Sequence, residues 1–277
     1  MQQSGADTWL LPDTLQVDAL FAALAAEFGC VAAPEYAASV VYADSFDWRL
    51  YQQGYLLHCH GSSWTLYHGD SCEVTLQQGG PELKTACFAH EFPLGRLRET
   101  LAPVLGVRCL LPLAAVQLSG RQVRLLNSDQ KTVARLVVET QQPLGLETTF
   151  RLIRLFPVRG YDHEQAVVQT ILADNGVRRS VSPLIGFEAG CRKAGRLPLD
   201  YNSKFTMELD AAGTARQAMA RIYQTLLDSI NRNIPGVLAD WDTEFLHHLR
   251  VAVRRTRSGL SLVKKVLPGE IVARFKR

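Results

Sequence analysis

The hydrophobic positions change period along this chain, and each change predicts a change of element. Residues 14–29 carry Ala and Leu at helical spacing and stop at Gly29, which predicts a helix. From Ser39 to about Thr75 the runs become short, β-branched or aromatic, and closed by Gly or Asp; they predict strands at 39–44, 54–61 and 63–70, with one helical turn at 46–53. A helix is predicted at 95–105, strands at 108–117, 121–126, 131–139 and 150–156, and a helix at 163–174. Within 131–139, Lys131, Val133, Arg135, Val137 and Glu139 alternate with Thr132, Ala134, Leu136 and Val138. One face of that strand therefore packs a core and the other meets water or a polar cavity. Residues 176–204 read as irregular and basic, with Arg178, Arg179, Arg192, Lys193, Arg196 and Lys204 between Pro183 and Pro198.

Beyond Leu209 the period is helical. Ala218, Ile222, Leu226 and Ile230 recur every fourth residue, predicting a helix over 214–231 that ends before Pro235-Gly236. A second helix, capped by Asp242 or Thr243, is predicted to run to about Leu267 and stop at Pro268-Gly269. The fold class read from this order is α+β: an antiparallel, β-rich domain with flanking helices over 1–205, then helices over 206–277.

With 277 residues, 47% hydrophobic and 21% charged, the chain has enough apolar surface to offset the entropy of ordering, which excludes a disordered protein. The longest apolar stretches, such as Val107–Leu118, are interrupted by Arg108 or Gln117 and fall short of the ~20 residues that span a bilayer. The first residues lack a basic stretch followed by an apolar core, so no signal peptide is expected. Six cysteines (30, 59, 72, 87, 109, 191) without a C-x-x-C pair fit a reducing compartment, and a cytoplasmic protein is expected.

The net charge of +3 becomes informative when divided. Residues 241–277 hold nine Lys/Arg against three acids, so they carry +6 and the remainder −3. That asymmetry points to an anionic partner. On a helical wheel over 243–266, His247, Arg250, Arg254, Arg257, Ser258, Ser261, Lys264 and Lys265 fall within about 120°, beside a sector of Phe245, Leu249, Ala252, Val253, Thr256, Leu260 and Val263. No acid interrupts the cations between Glu244 and Glu270. Like charges one turn apart repel by a few tenths of a kcal/mol per pair, so the row suits a polyanion that neutralises it. Guanidinium forks bind phosphate oxygens through paired hydrogen bonds.

Other constellations are less complete. His58, Cys59, His60, His68 and Cys72 hold a zinc ion only if a hairpin brings His68 across to the face shared by His58 and His60. Cys191, beside Arg192 and Lys193, has no His near it in sequence, and reads as an ordinary loop cysteine. Gly160, Gly186 and Gly190 read as single turn glycines, with no phosphate-binding loop or nucleophile elbow around them. No metal and no cofactor are expected.

The run Glu244-Phe-Leu-His-His-Leu-Arg-Val-Ala-Val-Arg-Arg-Thr-Arg-Ser258 resembles the opening signature of CHAD domains, helical domains that bind polyphosphate. That family's His-x-x-Arg-Val-x-x-Arg-Arg-x-Arg pattern falls on His247, Arg250, Val251, Arg254, Arg255 and Arg257. The preceding helix, with Asn231 or Asn233 before Gly236 and then Asp240, is similar to the family's first hairpin. A full CHAD domain has two four-helix halves, so the sequence is expected to be the front portion of a longer protein.

Residues 1–205 resemble the CYTH fold, a tunnel-like antiparallel barrel that holds triphosphate and is often fused ahead of CHAD. The resemblance rests on Tyr42-Ala-Asp-Ser-Phe-Asp-Trp-Arg-Leu-Tyr-Gln-Gln-Gly54, on Ser203-Lys204, and on the Arg-rich strand pair at 121–139. It implies Arg121, Lys131, Arg135, Glu139 and Lys204 as tunnel residues. The family's metal-holding Glu-x-Glu-x-Lys is missing from the sequence, and His58, His60 and His68 stand where cations are usual. Clustered carboxylates hold Mg²⁺ or Mn²⁺ in such chemistry, so a barrel without that activity is expected.

The resemblances together imply a non-enzymatic protein that binds inorganic polyphosphate or a similar phosphate polymer through His247, Arg250, Arg254, Arg255, Arg257, Lys264 and Lys265. The alternative is a divalent-metal-dependent triphosphatase or nucleotidyl cyclase using the barrel. Nucleic acid is disfavoured as the partner because no aromatic residues interleave with the basic face, and no membrane association is expected.

Overall fold

A computed structural model of the chain describes residues 7–69, 74–179, 182–202, 204, 207–210, 212–262, 266 and 269–276. In chain order the elements are β1 (Asp7–Leu10), α1 (Val17–Glu27), β2 (Gly29–Ala32), β3 (Tyr36–Asp44), α2 (Arg49–Gln52), β4 (Tyr55–His60), β5 (Ser63–His68), β6 (Val74–Gly79), α3 (Arg96–Leu105), β7 (Leu111–Leu126), β8 (Thr132–Pro143), β9 (Phe150–Pro157), α4 (Asp162–Asp174), β10 (Arg178–Arg179), α5 (Ile185–Lys193), α6 (Ala215–Leu238), α7 (Thr243–Leu262) and α8 (Gly269–Lys276). They fall into two units. One takes the described residues to Val104 together with Leu110–Asp200; the other takes Leu105–Cys109 and the residues from Tyr201 onward. The class is α+β, with an antiparallel sheet and flanking helices followed by C-terminal helices.

In the first unit the strands form one antiparallel sheet in the order β10-β1-β9-β8-β7-β3-β4-β5-β6. Its spine is β7, sixteen residues long. Residues 111–120 of β7 pair with β3 and residues 123–126 pair with β2, while β8 runs along its other edge. On one face Leu20 and Leu24 of α1 and Val168 and Leu172 of α4 pack against Leu125, Leu136, Ile153 and Leu155, all without solvent exposure. A second cluster gathers Val40, Tyr42, Trp48, Leu56, Val116, Phe187 and Cys191 around α2 and α5.

Gly120 explains why the separate strands predicted at 108–117 and 121–126 are one. A Cβ there would lie 2.2 Å from the Val138 carbonyl oxygen and 3.2 Å from the Tyr36 hydroxyl, so the glycine serves close strand approach rather than a turn. The predicted alternation in β8 holds from Ala134 onward. Leu125 lies opposite Ala134 but Leu126 opposite Thr132, which makes Val133 the extra residue of a β-bulge. Val133 thereby enters the core, where simple alternation had placed it with Lys131 and Arg135. Residues 176–204 are not wholly irregular, since they contain α5.

In the second unit, α6 continues through Pro235 to Leu238. The helix ends instead at Asp240, whose φ of 51° is left-handed, while the Trp241 N–H donates back to the Gly236 carbonyl at 3.1 Å. Gly236 is a packing residue: a Cβ on it would sit 2.2 Å from the ring of buried Phe245 in α7. Helix α7 runs to Leu262, and its predicted continuation over 263–265 lies outside the described residues. Among the described residues no helix is long and apolar enough to cross a membrane.

Candidate functional site

Among the described residues, each unit holds a hollow that gathers polar side chains. In the first, the sheet curves so that residues of β3 through β9 share a cavity of about 440 Å³. Its polar centre is Glu139 of β8, only 5% exposed. The Glu139 carboxylate accepts from the Tyr36 hydroxyl at 2.6 Å, from Arg154 Nη2 at 2.8 Å and from Gln141 Nε2 at 2.7 Å. Gln141 also donates to the Pro183 carbonyl at 3.2 Å and accepts from the Gly186 N–H at 3.0 Å, fastening α5 to the sheet. A Cβ on Gly186 would be 2.7 Å from Gln141 Oε1 and one on Gly190 2.8 Å from Ala114, so both glycines let α5 lie against the strands. Burial, reinforced by Glu139, pushes the Tyr36 phenol far above its ordinary range.

His58 of β4 also lines the cavity and is 6% exposed. Its Nε2 pairs with the Tyr67 hydroxyl, and its ring lies edge-on to Tyr42 with centroids 5.4 Å apart. Burial pushes its pKa down to about 4, with His60 adding to the shift and Glu139 opposing it. The folded imidazole is therefore neutral over a range where the unfolded one, near 6.5, takes up a proton. Its stabilising contribution is complete above pH 6.5 and is lost as pH falls toward 4. Asp44 slopes the other way: burial outweighs its bonds from the N–H groups of Ser45, Leu50 and Tyr51 and pushes it up to about 7 from 3.8, so its ionisation costs stability as pH rises across that interval. The stability difference between the parent and His58→Gln is expected to grow in the parent's favour from pH 4 to 6.5, read as the gap between their Tm values at each pH. A gap independent of pH would mean that His58 titrates normally.

Of the five residues expected in the tunnel, Glu139 alone lines this cavity. Lys131 lies in the turn before β8, exposed, with its Nζ 3.7 Å from Asp129. Arg135 is exposed. Arg121 stacks over Phe21 at 4.7 Å. Lys204 is exposed and belongs to the second unit. Tyr36, His58, Tyr67, Gln141 and Arg154, which do line or buttress the cavity, share a signal in the sequence: odd or even positions of one strand face repeat within each strand, as with Tyr36, Ala38, Val40 and Tyr42.

The histidines do not converge on a zinc ion. In the β4–β5 hairpin His68 lies opposite Tyr55 and His60 opposite Ser63, at opposite ends. Cys72 lies outside the described residues. Among the described residues no group of three His, Cys, Asp or Glu is placed to hold a metal. The Tyr42–Gly54 element is structural: Asp44 ties down the first turn around α2, Asp47 pairs with Arg49 at 3.2 Å, Leu50 is buried, and Gly54 takes a φ of 74°.

In the second unit, α7 carries an open hollow of about 820 Å³. His247, Arg250, Arg254, Arg257 and Ser258 line it, with Leu246, Leu249 and Val253 beside them. All four cationic positions are exposed, and among the described residues no ion pair engages Arg250, Arg254 or Arg257. Arg255 is exposed but points out of the hollow's lining. Lys264 and Lys265 lie outside the described residues. The base of α7 is anchored by a buried network. Asp242 caps the helix through the Glu244 N–H at 3.0 Å, and accepts from Arg108 Nη1 at 3.0 Å and from the Cys109 N–H at 3.2 Å. Arg108 and Asp242 side chains are 0% and 1% exposed. Arg108 Nη2 also donates to His248 Nδ1 at 2.9 Å, which fixes the Nε2–H tautomer, and its guanidinium lies 4.9 Å from the Phe245 ring centroid. His248 is thus committed to the interior while its neighbour His247 faces the hollow. Sequence reading missed this network, although a lone Arg within the apolar run 107–118 is its signal.

The family comparison agrees with this geometry: residues 221–277 match the family model described as the CHAD domain. This C-terminal segment is a CHAD domain segment. The match takes in the whole hollow on α7 and most of α6. Outside CHAD, a solved structure described as "Crystal structure of a putative adenylate cyclase" from Bacillus halodurans is similar to this chain at 12% identity and a TM-score of 0.40, covering 66% of this chain and 96% of that one. No curated protein matches the chain.

Proposed function

We propose that this protein binds inorganic polyphosphate, or a phosphate polymer like it, along the basic face of α7. The observation that carries the reading is the shared hollow of His247, Arg250, Arg254 and Arg257, basic side chains about one helical turn apart with no acid among them. Its neighbours Ser258 and Ser261 are hydroxyl side chains on the same turns, although the Ser261 hydroxyl donates to the Arg257 carbonyl at 3.1 Å. Arg255 would extend the positive field along the same helix, and Lys264 and Lys265 follow it in the sequence, outside the described residues. A flexible phosphate chain offers equivalent oxygens to successive turns, so every cation can be neutralised at once. In this reading the chain is a binder and not a catalyst. What supports that part is Glu139, the one acid among the described cavity-lining residues, which is already occupied by Arg154, Tyr36 and Gln141.

The test is binding of long-chain polyphosphate to the full chain as a function of salt. Three arginines on a single-stranded polyanion give a slope of about −2 for log K against log salt. Duplex DNA at matched phosphate concentration is expected to bind less well, because a stiff duplex cannot lay its phosphates along one helix face. Salt-independent binding, or displacement of polyphosphate by DNA, would sink the reading, and the second outcome would favour a nucleic-acid partner.

A further inference from the structure

The cavity of the first unit is not explained by a phosphate polymer, and its chemistry points elsewhere. We propose that this cavity binds an uncharged, largely apolar molecule with an aromatic ring and one N–H or O–H donor, held on Glu139.

Charge comes first. Among the described residues the lining has one acid and one arginine, Glu139 and Arg154, and they pair at 2.8 Å with side chains 5% and 14% exposed. His58 is neutral at ordinary pH, so the wall carries no net charge. A triphosphate or nucleotide would bring several negative charges against a buried carboxylate with no surplus cation among the described lining residues to receive them, and burial of unpaired charge is costly. An organic cation meets the converse difficulty, since the carboxylate is already neutralised.

The wall itself is apolar and aromatic, made by Val40, Leu56, Leu118, Val137 and Phe156 with Tyr36, Tyr42 and Tyr67. Its volume of about 440 Å³ lies in the ordinary range for small-molecule sites. The donor requirement follows from counting bonds. A carboxylate offers about four acceptor positions, and Glu139 uses three, for Tyr36, Arg154 and Gln141. One remains. Gln141 has both amide hydrogens and its oxygen engaged, so it fixes the Glu139 carboxylate without competing for a ligand. The fixed network means little rearrangement is needed on binding.

The test uses N-phenyl-1-naphthylamine, which is uncharged, has two aromatic ring systems and one N–H, and fluoresces when it leaves water. With the full chain, saturable fluorescence is expected, undiminished by a large excess of sodium tripolyphosphate. Leu118→Trp and Val137→Phe each enlarge a half-buried wall residue and are expected to weaken the probe by about tenfold or more. Far-UV circular dichroism and a thermal midpoint within a few degrees of the parent's certify each variant as folded, and the inference is judged on whichever variants pass. Absence of saturable binding overturns it, as does displacement by tripolyphosphate. So does an unchanged affinity in the folded variants, which would place the probe on exposed leucines of the second unit such as Leu238 and Leu246. None of these results depends on whether α7 binds polyphosphate.

Discussion

Asp242→Ala is expected to destabilise the second unit by about 3–5 kcal/mol, the cost of leaving a buried guanidinium without its counter-charge. The residue touches everything at the base of α7: it caps the helix at Glu244, pairs with Arg108 and accepts from the Cys109 backbone. Asp242→Asn is expected to recover little, because its amide would present hydrogens to a site where every neighbour is a donor. The double variant Asp242→Leu with Arg108→Met removes both charges together, and is expected to cost much less than the sum of its parts. Urea denaturation followed by the helical signal of the full chain measures these variants, the single Asp242→Leu and Arg108→Met, and the parent. Additive single-site costs would show that the pair is not coupled as drawn.

Arg250→Ala with Arg254→Ala is expected to weaken polyphosphate binding by about one to three powers of ten. Each charge-assisted hydrogen bond is worth roughly 1.5–3 kcal/mol when well formed and less when exposed, and both side chains are exposed. The salt slope should fall by about two thirds, from roughly −2 to −0.7, because two of the three arginines in the hollow are gone. Stability should hardly change, since neither residue belongs to the buried face formed by Phe245, Ala252 and Leu260. Full-strength binding by the double variant would move the polyanion site off α7.

Much of this architecture is legible from residue periodicity. The helix at α1, the three strands β3 to β5, the strand at β8 and the two long helices each carry a repeat that one kind of element alone satisfies. What periodicity misreads is glycine. Gly120, Gly186, Gly190 and Gly236 read as punctuation, yet each sits inside a strand or helix at a point where another group leaves no room for a side chain. The information lies in the neighbour, which is Val138 and Tyr36 for Gly120, Gln141 for Gly186, Ala114 for Gly190 and Phe245 for Gly236, and so is invisible locally. The basic face of α7 was legible because one helix holds it entire. The cavity was not, because it depends on side chains from strands far apart in sequence. Short β1 and β2 have too few positions to display a period at all.

The order of strands in the sheet also sets a timetable. The meander β7-β8-β9 is built from neighbours in sequence, whereas Asp7 in β1 pairs with Leu155 in β9. At synthesis rates of about 5–20 residues per second, β1 leaves the ribosome roughly 7–30 s before its partner exists. The amino-terminal strands must therefore wait unpaired while the meander forms behind them, then dock last against a template already made. Long-range pairing of this kind is slow to nucleate and leaves strand edges open in the interval. The steps most sensitive to chaperones and to translation speed are thus the arrivals of β1 and β2, the two shortest strands of the early chain.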